Sequence, residues 1–213
     1  NRAVRDAFEQ GILRNTSLMV PAPFLDDAAE KLAGLDGLCV GLHITLTAEW
    51  DRVRWGPVLG SEKVPSLVLK DGTFPPTGQA LNELEPRTEE MLDEVKAQLE
   101  LARRKGFDIR YMDTHMGIDW IEDWRDTLED LADKEGLVYA NALHFDARPD
   151  AVPRPADRVE RFLVWLQGTE PGGTYLVVGH PGYESDELLA YGHGDQGPGE
   201  VARDRDVQRR MFM

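Results

Sequence analysis

The side chains best suited to metal ligation or proton transfer in this chain are five histidines, His43, His115, His144, His180 and His193. Three of them fall at matching places. His43 comes late in the apolar run Leu38-Cys39-Val40-Gly41-Leu42-His43-Ile44-Thr45-Leu46, His115 closely follows Ile109-Arg110-Tyr111-Met112, and His180 follows Tyr175-Leu176-Val177-Val178. Each run reads as a strand, and parallel α/β folds gather their chemistry where strands end, because the following loops converge there. Three imidazoles delivered from three strands to one rim make a metal-binding or acid–base constellation. Taken singly, each histidine is read equally well as a hydrogen-bonded structural residue, so the coincidence of three carries the argument. His144 and His193 lack this placement and read as structural or rim residues.

The neighbours of these histidines fit that chemistry. Asp113 stands two positions before His115, on the same side of an extended backbone. It is placed to ligate a cation or to orient a ligand histidine, while the plainer reading is an aspartate capping the next turn. His180 precedes Pro181-Gly182, a stiff turn suited to a general acid or base. Thr45 and Thr47 alternate with His43 and read as strand formers.

The elements that must position these groups alternate along the chain. Val4, Phe8 and Ile12 share a helical stripe, with Gly11 as a stop signal, and Thr16–Val20 reads as a strand. A helix from Asp26-Asp27 to Leu35 leads through Asp36-Gly37 into the 38–46 strand, which is apolar enough to be buried on both faces. Residues 87–105 carry Met91, Val95, Leu99 and Ala102 on one stripe, the clearest helix of the chain. Strands are expected at 109–112, 137–140 and 175–178, and helices at 120–134, 157–167 and from Glu200 to the end. Between 48 and 86, Trp50, Trp55 and five prolines interrupt any period, so this stretch reads as a long loop of the functional kind. Trp50, Trp55 and Phe74 there offer either stacking faces for sugar rings or ordinary packing under the loop. Strand–helix alternation without repeats or a linker predicts one α/β domain over residues 1–213, with parallel strands in a distorted (β/α) barrel.

Composition narrows the partners. The 213 residues hold 24 basic and 39 acidic side chains, a net charge of −15. Such a chain repels phosphate backbones and anionic lipid surfaces unless it carries a basic stripe. The densest basic clusters, Arg103-Arg104-Lys105 and Arg209-Arg210, are flanked by acids, so nucleic acid is disfavoured and a neutral substrate such as a sugar is compatible. The lone Cys39 excludes an internal disulfide and reads as a small buried hydrophobe. With neither a membrane-length apolar run nor a signal-peptide pattern, the expected compartment is the cytoplasm, with no membrane partner. The oligomeric state is unread, and a homodimer is one candidate arrangement.

Four segments in order resemble the YdjC-type (ChbG-like) carbohydrate deacetylase family: Gly11-Ile12-Leu13 with Thr16-Ser17-Leu18-Met19, Gly41-Leu42-His43-Ile44-Thr45-Leu46-Thr47, Asp113-Thr114-His115 and His180-Pro181-Gly182. Arg205 falls near the arginine that follows in the family's last helix. The resemblance implies a distorted (β/α) barrel that removes an N-acetyl group from an amino sugar or chitooligosaccharide with a divalent metal cation, Mg2+ or Zn2+. It implies His43 and His115 as metal ligands and His180 at the rim with acid–base duty. Beside what the resemblance implies, Asp113 is a catalytic candidate from its place beside His115, and Trp50, Trp55 and Arg205 are candidates for contact with substrate. Two departures stand out. The family's opening strand and its "A-D-D-x-G" segment would precede Asn1, so that strand is expected upstream of the chain. Met116-Gly117 stands where relatives often carry a further histidine, which changes the pocket wall. The alternatives are another barrel metallohydrolase, acting on a cyclic amide or phosphoester, and a sugar-binding protein without catalysis.

Overall fold

The computed structural model describes residues 1–147, 157–194 and 196–213. Along the chain come α1 (Arg2–Glu9), β1 (Asn15–Leu18), α2 (Leu25–Leu32), β2 (Cys39–Ile44), α3 (Gly78–Asn82), α4 (Thr88–Arg104), β3 (Ile109–Thr114), α5 (Trp124–Glu135), β4 (Val138–Tyr139), α6 (Arg158–Gln167) and α7 (Pro198–Phe212). The chain divides into two compact units, Arg14–Ala142 and a second that joins Asn1–Leu13 to Leu143–Met213.

In the unit Arg14–Ala142 the four strands form one sheet in the order β1-β2-β3-β4, every pair parallel. Each crossover passes through at least one helix, as parallel pairing requires. Neighbouring strands in chain order with helical crossovers form the wall of a distorted (β/α) barrel. The alternation in β2 sorts its side chains. Val40, Leu42 and Ile44 are buried, Leu42 and Ile44 completely, while Gly41 and His43 take the opposite face. Against this wall the stripe of α4 closes, with Met91, Val95, Leu99 and Ala102 all buried. Each fully buried aliphatic side chain contributes about 2 kcal/mol of hydrophobic stabilisation. The expectation that β2 is buried on both faces therefore holds for the Val40–Leu42–Ile44 face, whereas on the other face Gly41 is buried and His43 is half-buried. Cys39, expected as a small buried hydrophobe, is half-buried at the first position of the strand.

A register shift sits between β2 and β3. Val40 pairs with Ile109 but Gly41 pairs with Tyr111, so Arg110 is the extra residue of a bulge. The bulge reverses the alternation of β3 midway, leaving Met112 and Thr114 buried and turning Tyr111 and Asp113 toward the face that carries His43.

The long segment after β2 is irregular, as expected, apart from a 3-10 turn at Pro65–Leu67 and the short α3, which Thr77 caps by accepting a hydrogen bond from the Ala80 N–H. Two carboxylates one turn apart on α4 hold this segment down. Glu94 accepts from the N–H groups of Val58 and Leu59 at 2.9 and 3.0 Å, and Glu90 accepts from Ser66 N–H and its hydroxyl. Burial pushes the Glu94 carboxyl above its ordinary range, against the hydrogen bonds that favour its charge.

In the unit Asn1–Leu13 with Leu143–Met213, α1, α6 and α7 bury Ala3, Ala7, Phe162, Val201, Ala202 and Phe212. Asp157 caps α6 by accepting from the Glu160 N–H. Residues 175–178, expected as a strand, are extended but belong to no ladder among the described residues. A strand exists only through its pairing, and this stretch leaves Leu176 and Val178 exposed. Its backbone is instead anchored near one end, where Thr174 exchanges hydrogen bonds with Asp146. The helix expected from residue 120 starts at Trp124, after a 3-10 segment at His115–Trp120. Among the described residues no helix is long and apolar enough to cross a membrane.

Candidate active site

His43 and Asp113 are register partners across β2 and β3, and the His43 Nδ1 lies 2.6 Å from Asp113 Oδ1. A carboxylate only accepts, so Nδ1 carries a hydrogen, and in the neutral ring Nε2 keeps its lone pair. The second Asp113 oxygen accepts from the Ser17 hydroxyl at 2.8 Å, and that hydroxyl lies 2.9 Å from the Tyr111 hydroxyl. Ser17 has spent its one proton on Asp113, so Tyr111 donates to Ser17. Burial pushes Tyr111 up to about 12, which keeps the phenol protonated for this role.

Gly41 makes the contact possible. Ser17, Gly41 and Tyr111 are in register across three strands, and the two outer side chains meet over the middle residue. A Cβ at position 41 would lie 2.2 Å from the Tyr111 ring, so only glycine lets the phenol lie across β2. Gly41 in Gly41-Leu42-His43 thus has a packing reason as specific as the histidine beside it.

His115 is buried just past β3, on a turn where Met116 and Gly117 both take left-handed backbone angles. Asn141 holds the strand end, donating to Thr114 Oγ1 and accepting from Thr114 N–H. The His115 ring meets His43 edge-on, with centroids 5.1 Å apart, and its Nδ1 lies 3.2 Å from His43 Nε2. Its Nε2 lies 3.0 Å from Glu49 Oε2.

The pair suits a cation. With both rings neutral, each imidazole donates from its outer nitrogen to a carboxylate, which leaves one inner lone pair on each ring for a cation to accept. Nitrogens bound to one cation at about 2.0–2.1 Å lie roughly 2.9–3.4 Å apart for octahedral to tetrahedral angles, which brackets the observed separation. The outer carboxylates reproduce the usual second layer behind metal-bound histidines. Among the described residues no three His, Cys, Asp or Glu side chains converge as a complete ligand set, and His43 and His115 are a pair whose ring nitrogens lie side by side.

The other sequence-derived candidates lie elsewhere or in other roles. Asp113 orients His43 rather than His115. Trp50 and Trp55 are 8% and 6% exposed and Phe74 is fully buried, so these rings are packed in the interior and present no free face. The Trp55 indole N–H donates to the Thr47 carbonyl. The exposed aromatic close to the histidines in sequence is Trp120, 54% exposed on the turn that begins at His115. His180 and Arg205 belong to the other unit. There His180 is exposed, its N–H donates to Gln208 Oε1 at 2.6 Å, and Gly182 N–H donates to the Arg205 carbonyl. The Arg205 backbone therefore backs the His180-Pro181-Gly182 turn. Ser17, Tyr111 and Glu49 were missed as site residues. Ser17 lies in a recognised segment, and Tyr111 shares a strand side with Asp113, but Glu49 left no motif.

A parallel α/β fold with a carboxylate-backed histidine pair at its strand ends is the framework of a strand-end hydrolase. The chain belongs to the YdjC-like protein family, whose model matches residues 1–213. It is 27% identical over 201 residues to a carbohydrate deacetylase of Thermoanaerobacter pseudethanolicus, covering 89% of this chain and 78% of that protein. A carbohydrate deacetylase of Geobacillus stearothermophilus is 28% identical over 193 residues, covering 86% and 74%. Among solved structures, a candidate cellobiose-phosphate cleavage protein from Enterococcus faecalis V583 superposes with a TM-score of 0.75 at 20% identity, over 99% of this chain and 84% of that one.

Proposed function

We propose that this protein is a carbohydrate deacetylase that hydrolyses the N-acetyl amide of an amino sugar or chitooligosaccharide, releasing acetate and a free amine. The observation that carries the reading is the His43–His115 pair, with inner nitrogens 3.2 Å apart and a carboxylate behind each ring. Family membership over the whole chain and the two deacetylase relatives support the reaction class.

His43 and His115 are the residues that would hold a divalent cation, Mg2+ or Zn2+. A cation held there would supply Lewis acidity to polarise the acetamide carbonyl and to activate water for attack. Asp113 keeps the His43 ring in one tautomer and one orientation, and Ser17 and Tyr111 fix Asp113 in turn. When the C–N bond breaks, the departing nitrogen needs a proton. His180 is assigned that donation from its place in the His180-Pro181-Gly182 motif, with Arg205 as the contact to substrate. The net charge of −15 is compatible with a neutral sugar and with release of a cationic amine. The compartment we assign is the cytoplasm.

His43→Ala is expected to abolish both deacetylation of N-acetylated chitooligosaccharides and calorimetrically measured Zn2+ or Mg2+ binding. Retention of activity in that variant overturns the assignment.

A further inference from the structure

We infer that Glu49 is the positioning residue of His115, selecting the ring tautomer that keeps the histidine pair open toward a cation. This rests on the deacetylase reading for its purpose, although its physical content stands in the metal-free protein.

The geometry is asymmetric in a telling way. His43 presents Nε2 inward and holds its hydrogen on Nδ1, toward Asp113, while His115 presents Nδ1 inward and faces Glu49 through Nε2. Without an acceptor at Nε2, His115 has a better use for its hydrogen. It would carry it on Nδ1 and donate to the His43 Nε2 lone pair 3.2 Å away, and the two rings would satisfy each other. That closed pair offers no lone pair on His115 for a ligand. Glu49 competes for the hydrogen with a carboxylate, and a hydrogen bond to a charged acceptor is roughly twice as strong as one between neutral groups. The side chains of Glu49 and His115 are only 17% and 10% exposed, so water screens the contact weakly.

The backbone around Glu49 is built to deliver this carboxylate. Gln98 brackets Thr45, donating to its carbonyl and accepting from its N–H. The Trp55 indole holds the Thr47 carbonyl, and Ala48 N–H donates to the Pro75 carbonyl. Thr47 donates to the sulfur of Met116, the residue after His115, which ties the two segments together. Glu49 is thus held on a braced segment, and the buried Trp55 acquires a purpose that sugar stacking does not supply.

The test compares the full chain with E49A and E49Q. Long-range 1H–15N correlation spectra of the metal-free protein report which ring nitrogen carries the hydrogen. The wild type is expected to show Nε2–H at His115 and Nδ1–H at His43, and E49A to move His115 to Nδ1–H while His43 keeps its form. Titration with ZnCl2 alone is expected to give about 10–100-fold weaker binding in E49A. His115 remaining Nε2–H in E49A overturns the inference. Should E49A fail to fold, E49Q preserves side-chain size and decides the matter by Zn2+ affinity, where weakening supports the role and wild-type affinity overturns it. Absence of Zn2+ and Mg2+ binding in the wild type would count against the deacetylase reading, while the tautomer spectra would still decide the role of Glu49.

Discussion

Two kinds of histidine placement occur in this molecule, one in each compact unit. His43 and His115 are fixed at the ring, each by a carboxylate on its outer nitrogen, and those carboxylates are held by the Ser17 hydroxyl of β1 and by a braced segment. His180 is anchored through its backbone: Gln208, buried on α7, accepts from its N–H and also donates to Asp204, Gly182 docks on the Arg205 carbonyl, and His180 as a residue is exposed. The difference matches the work proposed for each. A ligand must offer one lone pair in one direction, whereas a proton donor must meet a substrate and be recharged by solvent.

The largest expected effect tests how rigid the first region is. Glu94→Ala strips the acceptor from Val58 and Leu59 N–H and from the Gln98 amide, the side chain that also braces Thr45. It is expected to cost about 3 kcal/mol in urea denaturation, since buried donors left unpaired cost roughly 1–3 kcal/mol each and part of that is recovered by water. The same residue predicts a pH signature. Because burial raises the Glu94 pKa above the ordinary 4.5, its contribution is full below that value and is lost as pH rises through the native value. Wild-type stability should therefore fall relative to E94Q across that window. Parallel curves would mean that the buried carboxylate is not raised.

Asp113→Ala separates the two regions directly. It frees the His43 ring and is expected to weaken Zn2+ binding by about 10–100-fold, equivalent to roughly 1.4–2.7 kcal/mol. Wild-type affinity in that variant would erase the contrast between ring-fixed and backbone-fixed histidines. Gly41→Ala follows, at about 1–2 kcal/mol of thermal stability, because the new Cβ must displace the Tyr111 ring and with it the support of Asp113. An unchanged melting temperature would show that the ring has room to move.

The smallest effect is expected in the other unit. The Tyr183 hydroxyl donates to Asp6 at 2.6 Å, which pushes the phenol's pKa upward, and its ring lies between the guanidinium groups of Arg2 and Arg209. Tyr183→Phe removes only the hydrogen bond and should cost less than about 1 kcal/mol at this partly exposed site, with Zn2+ affinity unchanged. A change in that affinity would show that the backbone-fixed turn influences the histidine pair after all.

How much was legible in the sequence varied with the range of the interaction. The helices at 88–104 and 158–167 and the strands around His43 and Asp113 follow from local periodicity, and the structure has them within a few residues of the expected bounds. His43, Asp113 and His115 were legible as candidates because the end of a strand is a local property. Ser17, Tyr111 and Glu49 were not legible as partners, since their contacts cross 94, 96 and 66 positions and depend on register. The extended stretch 175–178 shows the opposite failure, because β-branched residues make a strand only when a neighbour pairs with them.

By itself, then, the sequence determined the helices, the parallel α/β class and the three imidazoles placed after apolar runs, since burial of an apolar stripe depends on nearest neighbours along one element. Tertiary structure alone decided which nitrogen of each ring faces inward. That choice needs the bulge at Arg110 to turn Asp113 toward His43, the missing side chain of Gly41 to admit Tyr111, and a braced loop to bring Glu49 to His115. A hydrogen bond of about 3 Å is a property of three-dimensional register, and no period along the chain encodes it.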